Sequence, residues 1–159
     1  MLNVRILCVG KLKEAYWRDA CAEYAKRLKA FCSFSIVELP ESRLPDDPSQ
    51  ALIDKALEEE GEKLLAAAKG SAIIPLCIEG KEMTSPKLAN TLEELASRGV
   101  SSVSFVIGSS FGLAEKVKQA GSLRLSMSPM TFPHQLARVM LCEQIYRAFQ
   151  IQNHGKYHK

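Results

Sequence analysis

The sequence predicts an α/β fold in three layers, in which helices cover both faces of a mainly parallel β-sheet. Short apolar segments alternate with longer amphipathic segments along the 159 residues, as strands and crossover helices do. Most of the short segments are continuous apolar runs, which is typical of strands buried on both faces. One domain spanning residues 1–159 accounts for this length.

Five strands are predicted from short runs rich in apolar and β-branched residues. They cover residues 3–9, 33–39, 72–78, 103–107 and 123–125. Pro75 lies inside the third of these runs and cannot donate a hydrogen bond to a central ladder. We therefore expect an edge position or a bulge in that strand.

Five helices are predicted from apolar residues that recur every three or four positions and from stop signals such as Gly70 and Gly99. They cover residues 13–30, 49–69, 85–98, 113–119 and 133–152. The last of them is apolar around most of its circumference, and one sheet face covers only one side of a helix. A second copy of the chain would cover the other side, which predicts a homodimer. The alternative is a helix wedged between other elements of one chain.

Composition excludes several classes of protein. Hydrophobic residues make up 47% of the chain and charged residues 25%, as in ordinary globular domains. The five cysteines form no C-x-x-C pair, so neither a disulfide framework nor a metal site is expected. The N-terminal apolar run ends before Lys11 and Lys13, which is too short for a signal segment or a membrane span. The sequence therefore predicts a cytoplasmic protein that is not bound to a membrane.

A glycine turn follows the fourth predicted strand in the stretch FVIGSSFGL, residues 105–113. In open α/β sheets, ligands bind beyond the carboxyl ends of strands, where glycine allows the backbone to approach them. The stretch lacks the G-x-G-x-x-G pattern and a P-loop lysine, which argues against a dinucleotide or nucleoside triphosphate. A glycine turn without a ligand is the alternative.

A second candidate segment, SMSPMTFPH, connects the last strand to the last helix over residues 126–134. Backbone groups of such a loop can recognise the edge of an adenine, and Met130 and Phe132 offer apolar contact. The alternative is a loop that only starts the helix, for which Pro133 is well placed.

The C-terminal end is the candidate surface for anions, because Glu143 is the only acidic residue after position 133 and all three histidines lie there. Rings such as those of Tyr157 and His158 stack on unpaired bases, and lysines neutralise phosphates. A frayed terminus is the alternative.

Four stretches together resemble the SPOUT-class RNA methyltransferases, and in particular the family that modifies ribosomal RNA of the large subunit. They are FVIGSSFGL, LSMSPMTFPHQLARVMLCEQIYRAF, the terminal YHK and the N-terminal VGKLKEAYWRDACAEYAKRL, so the likeness spans essentially the whole chain. The resemblance implies a C-terminal trefoil knot (an alpha-beta knot) and a homodimer. It also implies transfer of a methyl group from S-adenosyl-L-methionine to N3 of a pseudouridine in 23S ribosomal RNA.

The resemblance also implies roles for individual residues. Cofactor-binding positions correspond to Leu76, Gly108, Met127, Ser128, Pro129, Met130, Thr131 and Phe132. RNA contacts, across the dimer interface, correspond to Arg138, Tyr157, His158 and Lys159. The pattern departs from the family at Ser109, where a second glycine is common, and at Pro129, where a lysine is common.

Loss of a proton from N3 calls for a general base, for which His134 and His158 are the candidates. A structural role for His134 is the alternative. Two other functions stay open from the sequence: a non-catalytic factor that binds RNA or the ribosome with the same fold, and a SPOUT enzyme that acts on transfer RNA.

Overall fold

The computed structural model describes residues 1–159, in which strands and helices alternate from the first strand to the last helix. The strands are β1 (Asn3–Val9), β2 (Ser33–Leu39), β3 (Ala72–Glu82), β4 (Ser102–Ile107) and β5 (Leu125–Ser126). The helices are α1 (Ala15–Leu28), α2 (Gln50–Ala67), α3 (Ser85–Ser97), α4 (Glu115–Ala120) and α5 (His134–Gln152). The sheet has the order β2-β1-β4-β3-β5, and every pair is parallel. The predicted three-layer parallel α/β fold is confirmed.

Side chains of the sheet alternate between two apolar cores, one on each face. In β1, Val4 and Ile6 pack with residues of α1, α3 and α5 in the larger core. Leu7 and Val9 point to the opposite face, where α2 and residues 113–117 complete the smaller core. Because successive residues of a strand face opposite sides, a strand buried on both faces needs the continuous apolar run that the sequence shows.

Pro75 lies where one ladder of the sheet stops. It is the last residue of β3 paired with β4, and β5 pairs with β3 only from Leu76 onward, with a register shift before Lys81. On the β5 side, the chain beside Pro75 is Gly121, where a Cβ atom would come within 2.4 Å of the proline ring. The expected irregularity is therefore present, and the proline lies where no neighbouring strand needs its missing N–H.

Helix α5 packs between α1 and α3 against the sheet. The sequence argument for a second subunit, that only the sheet would cover this apolar helix, is therefore wrong. Its residues Leu141, Ile145 and Phe149 are buried within one chain. Neighbouring helices as well as the sheet therefore cover most of the apolar circumference. Val139 and Met140 remain only partly buried, and they line an apolar groove on the surface. None of the five helices has the length and apolar composition that a membrane span requires. The trefoil knot stays a prediction.

Candidate functional site

The carboxyl ends of β3, β4 and β5 open into a cleft with a volume of about 260 Å³. These strands are neighbours in a parallel sheet, so the segments that follow them meet at one edge. Seven of the eight predicted cofactor residues line this cleft: Leu76, Gly108, Met127, Ser128, Met130, Thr131 and Phe132. Pro129 is exposed and does not line the cleft. The departure from the family pattern at this position, proline in place of the common lysine, therefore leaves the cleft wall unchanged.

The turn after β4 depends on two glycines. Gly112 has φ +93°, and its N–H donates to the carbonyl of Ser109 at 2.9 Å. A Cβ atom on Gly108 would lie 2.1 Å from the Gly112 oxygen. The glycine is thus required by the chain itself and not only by a ligand. The hydroxyl of Ser109 accepts from the N–H of Phe111 at 3.4 Å, which accommodates the departure from the family pattern.

The segment from Met127 to Phe132 is held in shape by short-range side-chain bonds. The Ser128 hydroxyl accepts from the Met130 N–H at 3.0 Å, and the Ser126 hydroxyl donates to the Ser128 carbonyl at 3.1 Å. Met130 is 72% exposed at the rim. The loop is therefore preformed, with apolar side chains beside backbone groups, as ligand-binding clefts commonly are.

His134 also lines the cleft, and its Nδ1 is buried without a hydrogen-bond partner. Burial lowers the pKa of this imidazole below its ordinary 6.5, the cation of Arg138 lowers it further, and Glu41 opposes the shift. His134 is therefore neutral at neutral pH. Buried polar atoms without partners are rare, so this nitrogen marks an unusual environment beside the cleft.

Arg138 corrects one sequence prediction. It was expected to contact RNA, but its side chain is 1% exposed and donates to Glu38 Oε2 at 2.7 Å. A second bond runs to the Gly10 carbonyl at 3.2 Å. The guanidinium is therefore enclosed by the ends of β1 and β2. It has no free surface for phosphate in this chain.

Several cleft residues were not predicted as site residues, among them Cys77, Ile78, Glu79 and Lys118. The first three belong to β3, which runs to Glu82 and not only to Ile78 as the apolar pattern indicated. Lys118 of α4 forms an ion pair with Glu79 and lowers the pKa of that carboxyl by its hydrogen bond. The rule that ligands bind at strand ends points to Glu79, whereas nothing in the sequence singles out Lys118.

The C-terminal tail is folded against α5 and is not frayed. The Tyr157 hydroxyl donates to Glu143 Oε1 at 3.1 Å, and the Arg147 guanidinium lies 4.7 Å from the centre of the Tyr157 ring. Burial, followed by the bond to Glu143, raises the pKa of Tyr157 to about 12. His158 Nδ1 lies 3.2 Å from Arg147, which can only donate, so this nitrogen is the acceptor.

The tail does not reach the cleft of its own chain. His134 is the first residue of α5 and Arg147 is in its last third, so the helical rise separates them by about 20 Å. His158 stays with Arg147, and Lys159 follows it, exposed, at the end of the chain. The structure thus brings His134 to the cleft and leaves Tyr157, His158 and Lys159 outside it.

A preformed cleft at the ends of parallel strands, with a glycine turn on one wall, is the arrangement in which α/β proteins bind small ligands at the edge of the sheet. The particular family follows from comparison with known proteins. The chain belongs to the SPOUT methyltransferase family, whose model, described as "Predicted SPOUT methyltransferase", matches residues 2–158.

Relatives from several bacteria have similar sequences over their whole length. Proteins from Levilactobacillus brevis and Bacillus pumilus, each named ribosomal RNA large subunit methyltransferase H, are 45% and 46% identical to this chain. Each match covers 99% of this chain and 100% of the relative. A solved structure of a probable methylase family protein from Haemophilus influenzae has a TM-score of 0.58 at 16% identity. That match covers 99% of this chain and 71% of the other, and it shows a shared fold.

Proposed function

We propose that this protein transfers a methyl group from S-adenosylmethionine to N3 of a pseudouridine in the 23S RNA of the large ribosomal subunit. Residues 1–159 act as one methyltransferase domain in the cytoplasm, where ribosomes are. The observation that carries the proposal is the cleft in which the turn after β4 and the loop of residues 127–132 meet. Family membership and the names of the relatives support the choice of reaction and RNA.

The residues of the cleft fit S-adenosylmethionine. Apolar side chains, among them Leu76, Met127 and Phe132, suit an adenine ring, while the Glu79 carboxylate suits hydroxyl groups of a ribose. The His134 ring, which lines the same cleft, offers a further polar group. When bound, the cofactor supplies an activated methyl group, so this chain has chiefly to orient the groups that react and to exclude water.

The neutral imidazole of His134 makes it the base that this chain offers at the cleft. A neutral ring has one nitrogen that accepts a proton, and its lowered pKa keeps that form available at neutral pH. His158 is the second candidate, and it lies too far from the cleft of its own chain. A role for His158 therefore requires a second copy.

We propose that the second copy binds at the apolar groove on α5, forming a homodimer. The groove has a volume of about 500 Å³, and Leu125 and Met127 line both the groove and the cleft. Glu143, which holds Tyr157, also lines the groove. In a two-fold pairing the same patch meets itself. The partner's tail then lies beside the cleft, where its Tyr157, His158 and Lys159 face RNA.

The experiment is methyl transfer to ribosomes from cells that lack the protein, followed by mass spectrometry of the 23S RNA. We expect one added methyl group, on N3 of a pseudouridine. A methyl group on another nucleotide, or on transfer RNA alone, would contradict the proposed substrate. Calorimetry with S-adenosylmethionine separates the enzyme from a non-catalytic RNA-binding factor, because such a factor gives no binding heat.

A cleft variant ties this activity to the site. Ser110 is exposed and lines the cleft, so Ser110→Trp fills the mouth without a change in the core. Ser101, at the opposite end of β4, is equally exposed, and Ser101→Trp is the matched control. We expect only the Ser110 variant to lose cofactor binding. A substitution of Gly108 would not serve, because it would distort the turn through Gly112.

A further inference from the structure

The segment between β1 and α1, together with the first turn of α1, carries two lysines and an exposed aromatic ring that belong to neither the cleft nor the tail. Lys11 and Lys13 are exposed, and neither is in an ion pair. Tyr16 is 64% exposed, which is unusual for a ring of its size. These three side chains are called the β1–α1 surface below. Lysines beside an exposed aromatic ring are the combination by which proteins bind unpaired nucleotides.

This surface lies at the same edge of the sheet as the cleft. It follows the carboxyl end of β1, which pairs directly with β4, the strand that ends at the glycine turn. A chain of contacts joins the two places: the Gly10 carbonyl accepts from Arg138, and Arg138 lies four residues, about 6 Å along the helix axis, after His134 in α5. RNA with a base at the cleft therefore passes close to this surface.

The loop is held firmly, so its exposed side chains are presented in a fixed place. Arg18 donates to the carbonyls of Leu12, at 3.1 Å, and Lys13. The N–H of Leu12 donates to Glu38 Oε2 at 3.3 Å, and the Leu12 side chain is buried. Preformed loops lose less conformational entropy on binding than mobile ones. Binding through the lysines therefore loses little conformational entropy of the loop backbone.

Tyr16 is supported from one side by Trp17. The two ring centres are 4.9 Å apart at an interplanar angle of 62°, which is an edge-to-face contact. Trp17 packs against the core, whereas Tyr16 remains open to solvent. A supported ring with an open side is a platform for a stacked base.

Acidic residues in a neighbouring loop limit phosphate binding to the side of this surface that faces α1. The loop after β2 is acidic at Glu41, Asp46 and Asp47, and Glu41 lies beside Gly10. Phosphates are therefore repelled on that side and attracted at Lys11 and Lys13, where the exposed Glu14 offsets part of the positive charge. Two lysines would make few phosphate contacts, which suits a substrate loop held mainly at its reacting base.

We propose that the β1–α1 surface binds RNA next to the cleft, with Lys11 and Lys13 at phosphates and Tyr16 stacked on an unpaired base. The inference rests on the proposed function, because it concerns the RNA that the same cleft receives.

The test compares two sets of substitutions at opposite ends of α1. One variant carries Lys11→Ala, Lys13→Ala and Tyr16→Ala, and the control carries Lys26→Ala and Lys29→Ala, which removes the same charge from exposed positions. Binding to ribosomes from cells lacking the protein is measured by co-sedimentation at several salt concentrations. We expect about tenfold weaker binding by the first variant, with a salt slope smaller by about 2. The control should bind like the unchanged protein.

The outcomes separate this inference from the proposed function. Equal ribosome affinity of the two variants would overturn the inference, even if the unchanged protein methylates ribosomes. Tight binding without methyl transfer by the unchanged protein would sink the proposed function alone. Dissociation of a dimer by the first variant, seen in sedimentation, would assign the surface to a protein interface and overturn the inference. If the triple variant fails to fold, the Lys11→Ala/Lys13→Ala pair, which leaves α1 intact, gives the same comparison.

Discussion

The protonation state of His134 in the cleft is set by the residues around it. Its ring is at the first turn of α5, its Nδ1 has no partner, and the cation that lowers its pKa is Arg138 on the next turn. Burial and a neighbouring positive charge both disfavour the imidazolium. The residue is therefore suited to accept a hydrogen bond or a proton, and not to bind phosphate as a cation.

We predict that His134 titrates below pH 6.5 in the folded protein. The unfolded chain then binds more protons between the folded pKa and 6.5, so the free energy of unfolding falls as pH decreases through this window. Carbon-detected NMR titration gives the pKa, with His134→Gln to assign the signal. The same variant should lessen the loss of stability on acidification. A pKa at or above 6.5 would contradict the assignment.

At the scale of elements, one buried ion pair fixes the start of α5 to the ends of β1 and β2. Arg138 supplies the bonds from α5, Glu38 is the last residue but one of β2, and Gly10 follows β1. Arg138 is 1% exposed, whereas the Glu38 side chain is 35% exposed. Loss of the carboxylate leaves a fully buried cation, but loss of the cation leaves a carboxylate that water can reach.

We predict that Glu38→Ala lowers the free energy of unfolding by about 3 kcal/mol, because removing one partner strands a buried charge. Arg138→Met, which keeps the volume apolar, should cost about half as much or less. Urea unfolding measures both. The exposed pair of Glu23 and Arg27 is the control, and Glu23→Ala should have little effect. A loss for Glu38→Ala no larger than that of the control would rule out this role.

For the whole molecule, the proposed homodimer would make the active unit from two copies, and the groove, tail and cleft each contribute to that proposal. The groove shares two wall residues with the cleft, and Glu143 connects the groove to Tyr157. The tail of one chain is nevertheless about 20 Å along α5 from its own cleft. Each site would therefore combine a cleft of one copy with a tail of the other.

We predict that two inactive variants restore activity when mixed. Ser110→Trp disables the cleft, and deletion of residues 157–159 removes the tail while cofactor binding persists. Half of the dimers in an equal mixture contain both variants, and each has one intact site, so about a quarter of the normal methylation rate should return. The rate on ribosomes measures this. Activity of the tail deletion alone, or no recovery on mixing, would contradict a shared site.

Local patterns predicted most of the fold because they depend on neighbours in sequence. The strand of residues 3–9 and the helix that ends near Gly70 follow from apolar periodicity and stop signals. Thr84 caps α3 through the N–H of Lys87 at 3.2 Å, a contact within one turn. Two cleft segments were likewise found from the residues that follow strands.

By itself, the sequence determined the layers of the fold, the cleft loops and the family, since these depend on periodicity and on short contiguous motifs. Only the tertiary structure decided that Arg138 is enclosed by Glu38, that α1 and α3 cover α5, and that Lys118 reaches the cleft. It also decided that Tyr157 is held by Glu143. The physical reason is that burial and pairing depend on residues far apart in the chain. A local pattern shows that a side chain is basic or apolar, but not what the fold places against it.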